Sequence, residues 1–257
     1  MSDTPLSKLQ KFKYANDGTK PIKVTKPAIK PRTKTTPNLP DLRQSLNNHV
    51  KVLFIGFNPG KESSIQQHHY AHHSNLFWKL FNQSKVLQKV VDCEGFEKTT
   101  ELSKLLNQGC SAKDDFELIK YNIGFTDLVL RCTSRADELT TIEKLDNVPR
   151  LLKEFKESNV ENIVVIGKGI WEIIVKYFVK ELKLANVKLN KEVFEWGLQS
   201  EDCSSDKNYN LIIESIYKNH LPSLTTKLYV FPNTSGLVGS LKYSEKLELW
   251  ENMVSNI

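Results

Sequence analysis

Three short apolar runs constrain this chain more than any other feature. VKVLFIGF (50–57), NIVVIG (162–167) and KLYVFPN (227–233) each hold a short apolar stretch and then reach turn-forming residues. A strand that is apolar on both faces has to be buried on both faces. Helical patterns lie between and after these runs. NLFWKLFNQSKVL (75–87) sets Leu76, Phe77, Leu80, Phe81 and Val86 at helical spacing, and residues 99–108 and 141–156 follow a helical period. GIWEIIVKYFVKEL follows the second run, and YSEKLELWENMV (243–254) is amphipathic. Strands alternating with helices predict an α/β fold, a central parallel sheet in a three-layer α/β/α arrangement. Sites in such folds lie outside the carboxyl ends of the strands. Those ends are GFNPG (56–60), the Gly-Lys after Ile166 and PNTSGL (232–237), so these turns are expected to converge. Residues 200–224 interrupt the alternation with a polar opening and read as an insertion carrying one extra strand or helix.

The charge is unevenly placed. Residues 1–43 carry ten lysines and arginines against three aspartates, a net +7, whereas the whole of the 257-residue chain carries +6. The same segment holds six of the ten prolines, and its run KPIKVTKPAIKPRTKTTP has no helical or strand period. It reads as a disordered tail. Three uses fit that composition: a solvated linker, a polyanion tether whose lysines displace counterions from phosphates, or a nuclear import signal around KPRTK. The expected organisation is a Lys/Pro-rich tail over 1–47 and a folded domain over 48–257. No stretch reaches the ~18 apolar residues of a membrane span, and the N-terminus lacks the apolar core of a secretory signal. Cys93, Cys110, Cys132 and Cys203 lie far apart with no C-x-x-C pair. That spacing argues against a disulfide scaffold or zinc ribbon and for reduced thiols in the cytosol or nucleus.

Several motifs invite familiar chemistry and fail on spacing. GFNPGKES has three residues between Gly56 and Gly60 and an acid, Glu62, after Lys61. A phosphate loop needs four residues there and Ser or Thr after the lysine. HHYAHH pairs His68 with His72 and His69 with His73 at i,i+4, but no neighbouring carboxylate or cysteine completes a metal set in sequence. The sequons at Asn82 and Asn233 have no route to glycosylation without a signal peptide. No Ser-His-Asp or Cys-His arrangement can be read from spacing. What stands at the first strand end is Asn58, with Tyr70 in a loop after it. Asparagine orients a water by hydrogen bonding but cannot act as a strong base, and an aromatic ring can stack on a planar ligand.

Together these residues resemble the mismatch-specific uracil/thymine DNA glycosylases, a branch of the uracil-DNA glycosylase superfamily. The first motif, VLFIGFNPGKESSIQQHHYAHHSNLFWKLF (52–81), matches the family's pattern of an apolar strand, G-I-N-P-G, an aromatic and N-x-F-W-K, with Gly56, Asn58, Pro59, Gly60, Tyr70, Asn75, Phe77, Trp78 and Lys79 in register. YNIGFTDLVLRCTSRADEL (121–139), NIVVIGKGIWE (162–172) and EWGLQ (195–199) resemble further family segments, and PNTSGL (232–237) resembles the second active-site motif, N-P-S-G-L. The likeness covers about residues 50–254 outside the insertion.

The resemblance implies base flipping of a uracil mispaired with guanine in double-stranded DNA and hydrolysis of its glycosidic bond, leaving an abasic site. It gives Asn58 the catalytic role of positioning the water, places Phe57, Ser63, His69, Tyr70 and Asn75 around the base, and has Tyr70 stack on it. Leu237 would be the wedge that fills the vacated stack, with Asn233, Ser235, Gly236 and Lys242 near phosphates. It implies a monofunctional enzyme with no metal and no cofactor, acting as a monomer on G·U or G·T mismatches in the nucleus, with no membrane association. The lack of clustered cysteines separates the chain from the iron–sulfur branch. Three departures bear on this. Thr234 replaces the second motif's proline, and Gly239 stands where family members often have arginine, leaving Lys242 as the phosphate contact. Ser63 stands where vertebrate members have an alanine that gives a thymine methyl room. Uracil and 3,N4-ethenocytosine are therefore the expected bases, and thymine removal is open. The alternative is a non-catalytic mismatch- or DNA-binding protein on the same fold. Deleting residues 1–43 is expected to weaken nonspecific DNA binding and lower the slope of log K against log salt, by about 0.9 for each phosphate that the tail no longer neutralises, as read by fluorescence anisotropy over a salt series.

Overall fold

A computed structural model describes residues 39–201, 203–236 and 241–257. The tail up to residue 38, Leu237, expected as the wedge, and Gly239 therefore lie outside the described residues. In chain order the elements are β1 (Val52–Gly56), α1 (Lys61–Gln66), α2 (Phe77–Gln83), α3 (Val86–Glu94), α4 (Thr100–Gln108), α5 (Asp115–Leu118) and β2 (Ile123–Asp127). They continue with α6 (Thr141–Asp146), α7 (Val148–Glu157), β3 (Asn162–Ile166), α8 (Lys168–Glu181), β4 (Gly197–Gln199), α9 (Lys207–Asn219), β5 (Lys227–Phe231) and α10 (Tyr243–Ser255).

The strands form one sheet in the order β2-β1-β3-β5-β4. β1, β2, β3 and β5 run parallel, and the short β4 is antiparallel to β5 at one edge. Successive residues of the central strands face opposite sides. Leu53, Ile55, Ile163, Val165, Leu228 and Val230 pack with α7, α8 and α9, while Val52, Phe54, Val164, Ile166, Tyr229 and Phe231 pack with α2, α3 and α10. This is the expected three-layer arrangement, and it explains why the runs are apolar on both faces. The 200–224 insertion is mostly α9, capped by Asp206, whose carboxylate accepts from the Asn208 and Tyr209 N–H groups. It covers β4: Tyr209 Oη donates to Gln199 Oε1 at 2.6 Å and Tyr217 Oη to the Gln199 carbonyl at 2.6 Å.

Other expectations are modified. The helical pattern over 75–87 breaks at Ser84–Lys85, where Lys85 takes a left-handed φ of 60°. The pattern over 141–156 breaks at Asn147, just ahead of Pro149 in the first turn of α7. β2 is a strand that no apolar run announced, because IGFTD carries Gly124, Thr126 and Asp127. The boundary expected at 47/48 also falls too late. The Pro40 carbonyl accepts from Ser64 Oγ, Asp41 accepts from the Cys132 N–H, and Ser45 bridges to Phe125 on β2. Residues 40–47 are thus held against the domain. Among the described residues no helix is long and apolar enough to cross a membrane.

Phe54 sits in the middle of one layer. Its ring stacks on Trp250 of α10 at 5.2 Å and meets Phe77 of α2 edge-on at 5.1 Å. Such pairs contribute beyond the area they bury. Phe54→Ala is expected to cost about 3–5 kcal/mol, measured as a shift of the denaturant midpoint.

Candidate active site

The carboxyl ends of the four parallel strands open into one cavity of about 500 Å³. Its walls are Gly56–Ser63 after β1, Asp127 and Thr133–Ala136 after β2, Ile166 at the end of β3, Asn233–Ser235 after β5, and His69, Tyr70, His72 and Asn75 from the loop before α2. The expected convergence of GFNPG and PNTSGL holds. The chain goes from β1 to β2 on one side and then crosses to β3 on the other, so the cavity lies where the strand order reverses.

Asn58 stands at the cavity wall with its amide nitrogen held on three sides. Nδ2 donates to Thr133 Oγ1 at 2.7 Å and to the Pro59 and Arg131 carbonyls at 3.2 Å each. Thr133 Oγ1 gives its own proton to the Arg135 carbonyl, so it can only accept from Asn58. This fixes which end of the carboxamide is which. Oδ1 has no partner among the described residues and is left as an acceptor. Thr133 was not singled out from the sequence, although it lies in the 121–139 segment; its spacing from Asn58 carries no signal.

Tyr70 has a left-handed φ of 53°, an uncommon and costly geometry for a residue with a Cβ. Its ring lies flat on Phe77, with centroids 3.9 Å apart and an interplanar angle of 2°. Its hydroxyl is buried without a partner, and burial together with Asp127 pushes its pKa well above the ordinary phenol value. The left-handed backbones at Gln67 and Tyr70 end any helix there, so the i,i+4 histidine pairs do not line up. His68 and His69 instead share the buried Asp115 at the start of α5. Nδ1 of His68 lies 2.8 Å from Oδ1, and Nδ1 of His69 lies 2.8 Å from Oδ2, which also accepts the His69 N–H. Burial alone would raise the Asp115 pKa, but these bonds outweigh it and hold the carboxyl below its ordinary value. His72 accepts from Ser74 instead.

The remaining expected residues are placed as follows. Phe57 and Ser63 line the cavity, with the Lys144 ammonium 5.2 Å over the Phe57 ring and Ser63 Oγ accepting from the Ala71 N–H. Asn75 lines it as well, and its Oδ1 accepts the N–H of Phe77, the first residue of α2, at 2.9 Å. Asn233 Oδ1 accepts the Ser235 N–H at 2.7 Å, and the carbonyl of buried Thr234 accepts the Leu76 N–H at 2.8 Å. That last bond ties the two motifs together, and Thr234 makes it with the carbonyl that proline would also supply. Gly236 packs so closely on the loop that a Cβ would lie 2.7 Å from the Ser74 carbonyl. Lys242 is exposed, starts α10 and does not line the cavity. Lys61 and Arg135, both exposed, stand at the mouth, where Arg135 pairs with Asp137 at 2.5 Å and Glu62 offsets Lys61. His49, Glu94 and Glu161 cluster at the opposite ends of the strands, where Lys51 Nζ already fills the cation position, 2.6 Å from Glu161 and 3.2 Å from Glu94.

The family model described as the uracil DNA glycosylase superfamily matches residues 44–253. The chain belongs to that superfamily. Among its relatives, a G/U mismatch-specific uracil DNA glycosylase of Schizosaccharomyces pombe is 32% identical over 151 residues, 58% of this chain. The match spans about two fifths (39%) of that relative's length. The superfamily domain starts at residue 44, inside the segment pinned by Ser45 and Asp41, which agrees with the earlier start of the folded part.

Asp115 yields a pH-dependent expectation. A carboxylate whose folded pKa is depressed stabilises the fold above its unfolded value of about 3.9, and that contribution is lost as pH falls through the folded value. Asp115→Asn is expected to destabilise the domain by about 2–3 kcal/mol at neutral pH. The difference from wild type should narrow below about pH 4 in urea titrations.

Proposed function

We propose that this protein is a monofunctional DNA glycosylase that hydrolyses the N-glycosidic bond of uracil mispaired with guanine in duplex DNA. The observation that carries the reading is the Asn58 carboxamide, locked by Thr133 and two carbonyls with Oδ1 free at the cavity wall. A water accepted there would be oriented toward the sugar C1′ rather than deprotonated, since an amide has no basic lone pair at neutral pH. The chemistry then rests on departure of the base as an anion. The cavity is of a size for one flipped base, and the face of Tyr70 opposite Phe77 is the flat surface on which it would stack. The activity in the name of the fission-yeast relative supports the same substrate. Leu237 is the proposed wedge, and Ser235 and Gly236 the proposed close approach to phosphate. Ser63 at the cavity wall favours uracil over thymine, because its hydroxyl occupies the wall where a thymine methyl would need an apolar surface.

The test is single-turnover base release from duplexes holding G·U, A·U, G·T or ethenocytosine·G. Release from G·U is expected, falling by about 10²–10⁴-fold in Asn58→Ala while duplex affinity is retained. Binding without release from any duplex would replace this reading with a non-catalytic mismatch binder.

A further inference from the structure

We infer that Asp41, at the foot of the basic tail, is a positioning residue for Asn58: its carboxylate fixes and polarises the peptide group that holds the Asn58 carboxamide. The inference rests on the glycosylase reading above. That peptide group joins Arg131 to Cys132. Its carbonyl accepts from Asn58 Nδ2 at 3.2 Å, and its N–H donates to Asp41 Oδ1 at 3.0 Å. A peptide unit is planar and stiff, so the two bonds sit at opposite ends of one rigid plate. Turning the plate to break one bond strains the other. Asp41 lies 91 residues from Cys132 and does not line the cavity. Neither spacing nor the cavity wall therefore points to it.

The rest of the turn is held from other directions. The Arg131 guanidinium is taken by Glu143 at 2.7 and 3.0 Å, the Thr133 N–H by the Pro59 carbonyl at 3.1 Å, and the Thr133 hydroxyl proton by the Arg135 carbonyl at 2.9 Å. The Cys132 N–H is the donor given to Asp41. Asp41 is itself exposed, so water competes for its carboxylate, and the bond depends on a backbone held in place. The backbone is held on both sides. The Pro40 carbonyl accepts from Ser64 Oγ at 2.7 Å, the Arg43 guanidinium lies 4.1 Å over the Phe116 ring, and the Ser45 carbonyl accepts the Phe125 N–H at 2.9 Å. Leu42, between these anchors, lines the cavity. Residues 40–45 are thus a strap that joins the base of the tail to the turn that locks Asn58.

The chain runs from carboxylate to peptide to carboxamide. An anionic acceptor at the Cys132 N–H pushes electron density toward the Arg131 carbonyl oxygen and makes it a stronger acceptor, because hydrogen bonds in series strengthen one another. The Asn58 Nδ2–H is then held more firmly, and more negative charge collects on Oδ1, the atom left to accept the water. Asp41 moves no proton and touches no substrate. It sets the orientation and acceptor strength of Oδ1 from behind. Misplacing such a group costs rate rather than affinity, since the water has to be aligned only in the reacting complex.

The test is single-turnover release of uracil from G·U duplex at saturating enzyme by wild type, Asp41→Ala and Asp41→Asn in the whole chain, with duplex affinity measured alongside. Asp41→Ala is expected to slow release by about three- to tenfold, the effect of losing one such bond, with affinity unchanged. Asp41→Asn keeps an acceptor oxygen and loses the charge, and is expected to fall between the two. In the Asn58→Ala background, Asp41→Ala is expected to change the residual rate by less than about twofold, since groups that act as a unit are not additive. A wild-type rate in Asp41→Ala, an Asp41→Asn no faster than Asp41→Ala, equal slowing with and without Asn58, or a loss confined to affinity overturns the inference and leaves the glycosylase reading in place. Absence of release by wild type sinks the glycosylase reading itself, and the inference with it. Should Asp41→Ala fail to fold, amide hydrogen exchange decides: a Cys132 N–H protected in wild type and less protected in Asp41→Asn supports the inference, and one that exchanges freely in wild type overturns it.

Discussion

The parallel ladder that β1 makes with β2 and β3 sets the position of everything at the cavity. β1 is buried on both faces and paired on both edges, so it cannot slip without moving apolar side chains into the wrong layer. Its register puts Gly56 opposite Asp127 and Ile55 opposite Val165, and the strand ends there. The next residues, Phe57 to Gly60, form the cavity wall at a depth chosen by the ladder. The loop after β2 returns to hold Asn58 through Thr133, and its Thr133 N–H reaches the Pro59 carbonyl at 3.1 Å. The end of the sheet that faces the cavity is therefore held in place by the same pairing that builds the core.

The architecture was legible because its signal is local. Three apolar runs ending in Gly, Asn and Pro announced three central strands, and the turns after them named the cavity wall. β2 escaped because its buried residues include a glycine, a threonine and an aspartate, so it lacks an apolar run despite being the strand beside β1. β4 escaped because three residues with one exposed leucine carry no period. The helices were visible, but their breaks at Ser84–Lys85 and Asn147 are decided by backbone geometry within one or two residues.

The site was legible only in part. Asn58, Tyr70 and Asn233 stand at strand ends or in a marked motif. Their supports come from elsewhere in the chain: Asp115 lies 46 residues from His69, and Thr133 lies 75 from Asn58. No spacing rule connects such pairs. HHYAHH carries no metal set for a related reason, since i,i+4 pairs are meaningful only on a helix and two left-handed residues, Gln67 and Tyr70, interrupt it.

α10 begins near the loop after β5 and ends beside the first residue of that strand. Near its start the buried Lys246 donates Nζ to the Asn233 carbonyl at 2.8 Å, and burial lowers its pKa. In the middle, Trp250 lies against Phe54 and Phe231. At its far end the Asn256 carbonyl accepts from Lys227, the first residue of β5. Thirteen residues make a strut of roughly 20 Å, braced at both ends against the strand whose tip carries the second motif. Mechanically the strut and β5 act as one lever pair. Trimming the last turn loosens the brace farthest from the cavity, and the play it introduces is delivered through Lys246 to the loop at the other end.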